Sequence, residues 1–216
     1  MEVSVGEAAV RLGVSGRRVR ERIASGDLRA RRIGRAWVVD EAQLGRSPRV
    51  GRPMSRRVAW AFLDLLAGGV GEGVSQPEQS RLRKKRSLLL EASDPASLLR
   101  SWLPARAEVR RYSAADADLP ALREDARIAL SGVSDMRSGM AAAGVVEGYV
   151  GDDEVDNLVA DFLLSERGEP NVILHVLQED RPVAAPVPLP LLLADLADHD
   201  GPRERAAVAR LLRDLP

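Results

Sequence analysis

The order of apolar and polar positions predicts two short helices at the start of the chain. Ser4 can cap a first helix that ends at Gly13 and whose inward positions are small or apolar, namely Ala8, Ala9 and Leu12. Ser15 can cap a second helix after a tight turn. Val19 and Ile23 lie one turn apart on that second helix, on the face that meets the first helix.

Two strands are predicted after these helices. Residues 28–33 and 36–39 have the pattern of a hairpin joined at Gly34-Arg35. Asp40 can then cap one helical turn over residues 41–44. Two short helices joined in this way form a helix-turn-helix, whose second helix can lie in a DNA major groove, and the hairpin would form a small wing.

The polar residues of the second helix and the wing are the candidate DNA contacts. An arginine fork matches the acceptors of guanine or of a phosphate, and a glutamate can accept from cytosine. The candidates on the helix and the wing are Ser15, Arg17, Arg18, Arg20, Glu21, Arg22, Arg31, Arg32 and Arg35. An arginine-rich helix pair in a protein–protein module is the alternative interpretation.

This segment resembles the MerR-like and excisionase-like winged helix-turn-helix family. The family pattern is found, in order, in residues 8–15 (AAVRLGVS), 23–26 (IASG) and 33–37 (IGRAW). The resemblance covers about a fifth of the chain. It implies a DNA-binding domain over residues 1–46, with double-stranded operator DNA as its partner.

A linker and three helices are predicted over residues 47–105. The stretch 45–55 is rich in Gly, Pro and Arg, and is either a soluble tether or a segment that follows a DNA backbone. Helical spacing predicts helices from Ser55 to Ala67, after Ser75, and from Asp94 to Leu103. The second of these carries the basic run 81–86, which we expect to be a solvated helix face, with phosphate binding as the alternative.

Short strands alternate with helices from residue 106 onward. The predicted strands are 109–112, 127–130, 145–150 and 172–177, and the predicted helices are 119–125, 153–164, 189–198 and 202–215. We therefore expect an α+β protein in three parts. These are an N-terminal winged helix-turn-helix over residues 1–46, a helical connector over 47–105 and a C-terminal mixed α/β domain over 106–216.

The C-terminal part resembles AbiEi-type antitoxins. The matching pieces follow one another in order: 127–132 (RIALSG), 147–150 (EGYV), 156–158 (DNL), 171–174 (NVIL), 188–197 (PLPLLLADLA) and 203–212 (RERAAVARLL). The resemblance implies a transcriptional regulator that neutralises a cognate nucleotidyltransferase-like toxin and represses their shared operon.

Charge is divided along the chain although the formal net charge is zero. Residues 1–86 hold 19 Lys and Arg against 9 Asp and Glu, whereas residues 87–216 hold 13 against 23. A basic segment attracts nucleic acid, and an acidic one suits a basic partner or solubility. The chain has no cysteine, which excludes disulfides and thiolate metal sites. With no signal-peptide pattern and no apolar run of about 20 residues, we expect a cytoplasmic protein without a membrane partner.

Groups suited to catalysis are sparse, so we expect no enzyme and no cofactor. His175 lies in an apolar strand pattern and is predicted to be a hydrogen-bonded core residue rather than a catalytic base. The carboxylates of residues 152–156 fit a helix start better than a metal site. A solvated corner at a helix end is expected for Asp195, Asp198, His199 and Asp200.

The sequence as a whole favours a transcriptional regulator that binds operator DNA and acts as the antitoxin of a toxin–antitoxin pair, with a homodimer left open. The alternative is a ligand-sensing regulator without a toxin partner. A third interpretation, an excisionase-like factor that bends DNA, would leave the large acidic part without a role.

Overall fold

The structure is a computed structural model that describes residues 2–12, 15–24, 28, 30–34, 36–40, 52–140, 142–177, 183 and 185–216. The chain divides into two compact units, residues 1–50 and 51–216, which we call the N-terminal and C-terminal units. Each unit contains both helices and a sheet, so the expected mixture of helix and strand is confirmed. Within the described residues, no helix is long and apolar enough to cross a membrane.

The N-terminal unit contains two helices and a three-stranded antiparallel sheet. Its elements are β1 (Glu2–Ser4), α1 (Val5–Leu12), α2 (Gly16–Ala24), β2 (Ala30–Ile33) and β3 (Ala36–Asp40). Strand β3 lies between β1 and β2. The helices and the sheet share a small core of Val3, Ala8, Ala9, Val19, Leu28 and Val39.

The sheet of the N-terminal unit has one strand more than the sequence predicts. Strand β1 has three residues, too few to show a strand pattern of its own, and it forms by pairing Val3 with Val39. Gly34, at the predicted hairpin turn, has a φ of 60°, which glycine adopts without strain. The predicted helical turn 41–44 and the predicted helix end at Gly13 lie outside the described residues.

The C-terminal unit contains seven described helices and a four-stranded sheet. The helices are α3 (Arg56–Leu66), α4 (Gln76–Leu90), α5 (Pro95–Trp102), α6 (Leu119–Glu124), α7 (Asp152–Asp161), α8 (Leu189–Asp198) and α9 (Pro202–Leu211). The strands are β4 (Glu108–Tyr112), β5 (Ala129–Leu130), β6 (Val146–Gly151) and β7 (Val172–Leu177), in the spatial order β4-β7-β6-β5. Strands β6 and β7 are parallel, and the other two pairs are antiparallel.

The two faces of this sheet carry different cores. Successive residues of a strand point to opposite faces, so β6 and β7 each contribute to both. Val146, Val150 and Leu174 pack with helices α6 and α7 on one face. Tyr149 and Leu177 belong to a larger core with α3, α4, α5, α8 and α9 on the other.

Residues 52–105 are part of this larger core and do not form a separate connector. Helix α5 packs against α8 and α9, and α3 packs against α8. The predicted inward residues Leu98, Leu99 and Trp102 are buried in these contacts. Helical spacing shows which face of a helix is apolar but not which element covers it. A domain boundary was therefore predicted after residue 105, whereas the two compact units of the structure meet after residue 50.

A buried polar network lies between the sheet and α8. Arg106 is 2% exposed, and its Nη2 lies 2.6 Å from Oδ1 of Asp195 and 2.5 Å from Oδ2 of Asp198. The Tyr149 hydroxyl donates to Oδ1 of Asp195 at 2.9 Å, and the Ser131 hydroxyl donates to the other oxygen. Asp195 is fully buried, and these bonds replace the water that its carboxylate has lost.

A second group of buried polar side chains surrounds Glu147 of β6. Its Oε1 lies 3.0 Å from Nε2 of His175, and its Oε2 lies 2.7 Å from Nε2 of His199. The backbone N–H of Val133 donates to Oε2 at 2.9 Å, and a Cβ at Gly132 would overlap this carboxylate. The prediction of His175 as a hydrogen-bonded core residue is confirmed. Its Nδ1 has no hydrogen-bond partner among the described residues.

The interpretation of residues 195–200 as a solvated corner is wrong for most of the set. Asp195 is buried, and Asp198 and His199 are half-buried, whereas Asp200 is exposed as expected. Helix α8 is apolar nearly all round, and every residue from 190 to 197 is buried. A helix of that kind lies inside a protein, so its polar residues are drawn inside with it.

We expect the contribution of Glu147 and His199 to stability to be largest between pH 4.5 and 6.5. Burial alone would raise the pKa of Glu147, but the hydrogen bonds to His175 and His199 lower it from 4.5 to about 2. The hydrogen bond to Glu147 raises the pKa of His199 above 6.5. Glu147 therefore adds stability that is lost as the pH falls from 4.5 towards 2, and His199 adds stability that is lost as the pH rises through its raised pKa.

Urea unfolding of the full chain over this pH range measures the effect. In a His199→Gln variant, the fall in unfolding free energy above pH 6.5 should be smaller than in the wild-type protein. If the variant and the wild-type protein declined in parallel, His199 would have no part in the pH dependence.

Candidate nucleic-acid interface

Helix α1 is fixed by a reciprocal capping box at its start. The backbone N–H of Ser4 donates to Oε2 of Glu7 at 2.8 Å, and the backbone N–H of Glu7 donates to Oγ of Ser4 at 3.2 Å. Two of the N–H groups that have no partner within a helix are thus satisfied. Ala8 and Ala9 then lie in the core, so α1 supports α2 through small residues.

Helix α2 presents its described charged side chains, those of Arg17, Arg20 and Glu21, to solvent. The backbone N–H of Val19 donates to the carbonyl of Ser15 at 3.1 Å, which begins the helix where the sequence predicts. Val19 is fully buried and Ile23 is half-buried against the same core. Arg17, Arg20 and Glu21 are exposed, and so is Ser15, which gives a DNA-facing helix the groups it needs for base and phosphate contacts.

Two of the predicted contact residues are paired with each other. Nε of Arg17 lies 3.0 Å from Oε1 of Glu21, and the two side chains are 89% and 45% exposed. An exposed pair of this spacing on a helix is worth only about 0.3–0.5 kcal/mol. Contact with a base can therefore open the pair at little cost, and in the free protein Glu21 orients the guanidinium of Arg17. From the sequence alone, Arg17 and Glu21 were predicted as separate DNA contacts.

The arginines of β2 face opposite sides of the wing. Arg31 and Arg32 are both exposed and consecutive, so their side chains leave the strand in opposite directions. Arg32 lies opposite Trp37 of β3, whose side chain is partly exposed. Trp37 was part of the family pattern but was not predicted as a contact residue. An exposed aromatic residue beside an arginine is the sequence signal that could have identified it.

Three predicted contact residues have no described side chain. Arg18 and Arg22 belong to the described backbone of α2, but their side chains lie outside what the structure describes, and Arg35 lies outside it altogether. The structure therefore brings together Arg17, Arg20 and Glu21 on one helix and leaves Arg18, Arg22 and Arg35 as predictions.

Comparison with known proteins supports the prediction of a helix-turn-helix in the N-terminal unit. Residues 2–45 match the family described as a helix-turn-helix domain. A protein of Thermus thermophilus named "Probable plasmid-partitioning protein ParA" is 38% identical over 106 residues, which are 48% of this chain and 30% of that protein. The chain thus corresponds to less than a third of the length of this relative. No solved structure gives a significant match.

The N-terminal unit is a helix-turn-helix domain, with a three-stranded sheet beside its two helices. Such a domain suggests a DNA-binding regulator. The match covers residues 2–45 and leaves the C-terminal unit unassigned.

We expect Ser4→Ala to destabilise the N-terminal unit by about 1 kcal/mol, because it removes the side-chain half of the capping box. Hydrogen–deuterium exchange of the amides of α1 measures this loss in the full chain as faster exchange. Ser80→Ala, which replaces an exposed serine in the C-terminal unit, is the matched control and should leave α1 unchanged. Equal exchange of α1 in Ser4→Ala and wild-type protein would show that the capping box contributes nothing to stability.

Proposed function

We propose that this protein is a sequence-specific DNA-binding transcriptional regulator that binds its operator through α2. One observation carries the proposal: α2 exposes Arg17, Arg20 and Glu21 while Val19 holds its other face against the core. A guanidinium can donate two hydrogen bonds to guanine, and a carboxylate can accept from cytosine. The exposed arginines of β2 would supply phosphate contacts, which orient the domain without reading sequence. In this proposal the protein acts by binding and has no catalytic activity.

We expect Arg17→Ala and Arg20→Ala to weaken operator binding by about 1–3 kcal/mol each, and to weaken binding to random duplex DNA by less. The loss is selective because a base contact discriminates among sequences and a phosphate contact does not. If about five arginines neutralise phosphates, log K should fall with log salt at a slope of about −4 to −5. Fluorescence anisotropy with the chain's own upstream region and a scrambled duplex measures both quantities.

Arg167→Ala is the matched control for these variants, because Arg167 is an exposed arginine of the C-terminal unit. It should leave operator affinity near that of the wild-type protein. Equal losses on the operator and the scrambled duplex in the Arg17 and Arg20 variants would remove these residues from base recognition.

We further propose that the regulator is the antitoxin of a toxin–antitoxin pair and that its C-terminal unit binds a cognate nucleotidyltransferase-like toxin. Two observations support this step. The sequence pieces that resemble AbiEi-type antitoxins all lie in that unit, and residues 87–216 carry ten more acidic than basic side chains, 23 against 13. An acidic surface is repelled by DNA and attracts a basic protein.

Co-expression with the product of the adjacent reading frame tests the toxin proposal. We expect a complex that co-purifies with the full chain and weakens at high salt, because the attraction is electrostatic. The Arg17→Ala/Arg20→Ala variant is the control and should keep the complex while losing the operator, since the two partners are assigned to different units. A soluble, folded neighbour that does not associate at low salt would contradict the proposal.

One observation favours the alternative of a ligand-sensing regulator. The C-terminal unit has a cavity of about 470 Å³ between α3 and the start of α8, lined by Trp60, Leu63 and Leu191 among others. Two of the charged groups at its wall are already engaged, since Arg57 pairs with Glu78 at 2.6 Å and Asp64 accepts from the N–H of Gly71 at 2.8 Å. An apolar small molecule is the ligand that such a cavity would take. Operator binding that responds to a small molecule and not to a protein partner would favour this alternative.

The name of the Thermus thermophilus relative points to one more DNA-dependent role, plasmid partitioning. That role would also use the helix-turn-helix domain. A plasmid-stability assay beside an operator-repression assay separates the two.

A further inference from the structure

Seven arginines of the C-terminal unit form described ion pairs, and all seven pair with carboxylates of their own unit. One pair of each arginine is Arg57–Glu78, Arg100–Asp200, Arg106–Asp195, Arg110–Glu108, Arg127–Asp125, Arg137–Asp135 and Arg205–Asp200. Arg167, Arg203 and Arg213 have no such pair among the described residues, but they lie apart along the chain, whereas helix α4 concentrates its cations within six residues. Five of its six residues from 81 to 86 are Arg or Lys, and none of them forms an ion pair with an Asp or Glu side chain that the structure describes.

The packing of α4 sets which of these cations face solvent. Leu82 and Leu89 are buried, two turns apart, and fix the inward face of the helix. Nζ of Lys85 lies 3.9 Å from the centre of the Trp102 ring, and Arg86 donates to the carbonyl of Pro216. These two cations are engaged by the protein itself.

The outward face of α4 carries the remaining cations. Arg81, Arg83 and Lys84 are exposed, together with the small residues Ser80 and Ser87. The stretch 79–90 contains no Asp or Glu, so no carboxylate on this part of the helix offsets their charge. Three exposed positive charges within one turn of helix therefore form a patch that must be balanced by ions or by a polyanion.

An open groove runs beside this patch. It measures about 420 Å³ and is lined by Arg83, Arg86 and Ser87 of α4, and by Leu65, Gly68 and Gly69 at the end of α3. The glycines bring backbone rather than side chains to the wall. Arg86 is held by Pro216, so Arg83 is the guanidinium beside this groove that suits a phosphate, because a guanidinium fork matches two phosphate oxygens.

We propose that the exposed face of α4 binds the phosphate backbone of duplex DNA through Arg81, Arg83 and Lys84, as a contact additional to the helix-turn-helix domain. The proposal rests on the proposed DNA-binding function and extends it to the C-terminal unit. Charge complementarity selects the partner, since cations in a row without carboxylates match a chain of phosphates. A protein is the competing occupant, because Leu88 and Leu90 on the last turn of α4 are 51% and 43% exposed. Three neighbouring cations without a carboxylate on this stretch of the helix nevertheless favour a polyanion.

The triple variant Arg81→Ala/Arg83→Ala/Lys84→Ala of the full chain tests the proposal. None of the three side chains is buried, and alanine favours helix, so the variant should fold, which circular dichroism checks. We expect its affinity to fall by about tenfold or more at about 0.1 M salt, on the operator and on a scrambled duplex alike. The slope of log K against log salt should become less steep by about 2 to 3.

Arg167→Ala/Arg203→Ala/Arg213→Ala is the matched control, because it removes three exposed arginines and changes the net charge equally. It should keep the salt slope of the wild-type protein. If both triple variants lost affinity to the same extent, net charge would explain the effect and the α4 contact would be wrong.

The outcomes separate this proposal from the function on which it rests. If the wild-type protein binds duplex DNA and the α4 variant binds it with the same affinity and the same salt slope, the α4 contact alone is overturned. A wild-type protein without affinity for any duplex would overturn both. Unchanged DNA binding together with loss of a protein partner would assign α4 to that partner and also overturn the proposal. The expected result, a shallower salt slope with an unchanged preference for the operator, supports it.

Discussion

The ion pair between Arg106 and Asp195 is the interaction on which the C-terminal unit depends. A guanidinium and a carboxylate that are both buried lose their water, so each needs other partners to offset that loss. Arg106 therefore also donates to Asp198 and to the carbonyl of Leu103 at 3.1 Å, while Asp195 accepts from Tyr149. Loss of one partner from such a pair costs about 3–5 kcal/mol, because a charge is left unpaired inside the protein. The pair joins α8 to the sheet and to the turn after α5, beside the core that α3, α4 and α5 share with residues much later in the chain.

The same tendency to pair charges internally determines what the surface can bind. The described arginine ion pairs of the C-terminal unit use carboxylates of that unit, and their field outside the protein is therefore weak. The basic run 81–86 is not compensated in this way. This run belongs to the C-terminal unit, which begins at residue 51. The change from basic to acidic composition after residue 86 therefore does not coincide with the boundary between the two units. Divided by units, residues 1–50 hold 11 basic and 6 acidic side chains, and residues 51–216 hold 21 and 26. The C-terminal unit is thus acidic overall and basic on one helix.

Local signals in the sequence predicted the elements well and their partners poorly. Helices α3, α4 and α5 begin next to Ser55, Ser75 and Asp94, as expected, because caps and helical spacing are properties of a few neighbouring residues. The burial of Asp195 was missed, because the arginine that pairs with it lies 89 positions away. Strand β1 was missed for the same reason, since its identity comes from pairing with β3. In the candidate interface, the exposed positions of α2 could be predicted, because the inward position of Val19 on the helix fixes which residues face outward. Arg17 and Glu21 lie one turn apart on the helix, so their ion pair could also have been predicted from the sequence.

In the proposed function, sequence recognition and affinity place different demands on the two units. Each base contact discriminates by about 1–3 kcal/mol, and α2 offers few side chains for such contacts. Phosphate contacts add affinity that does not depend on sequence. If α4 supplies part of that affinity, the small N-terminal core of Val3, Ala8, Ala9, Val19, Leu28 and Val39 needs to position only one short recognition helix. Operator choice could then change through substitutions at exposed positions of α2 without loss of the general affinity for DNA. A partner that covered α4 would reduce affinity for every sequence equally, which is how binding at the C-terminal unit could release the operator without touching α2.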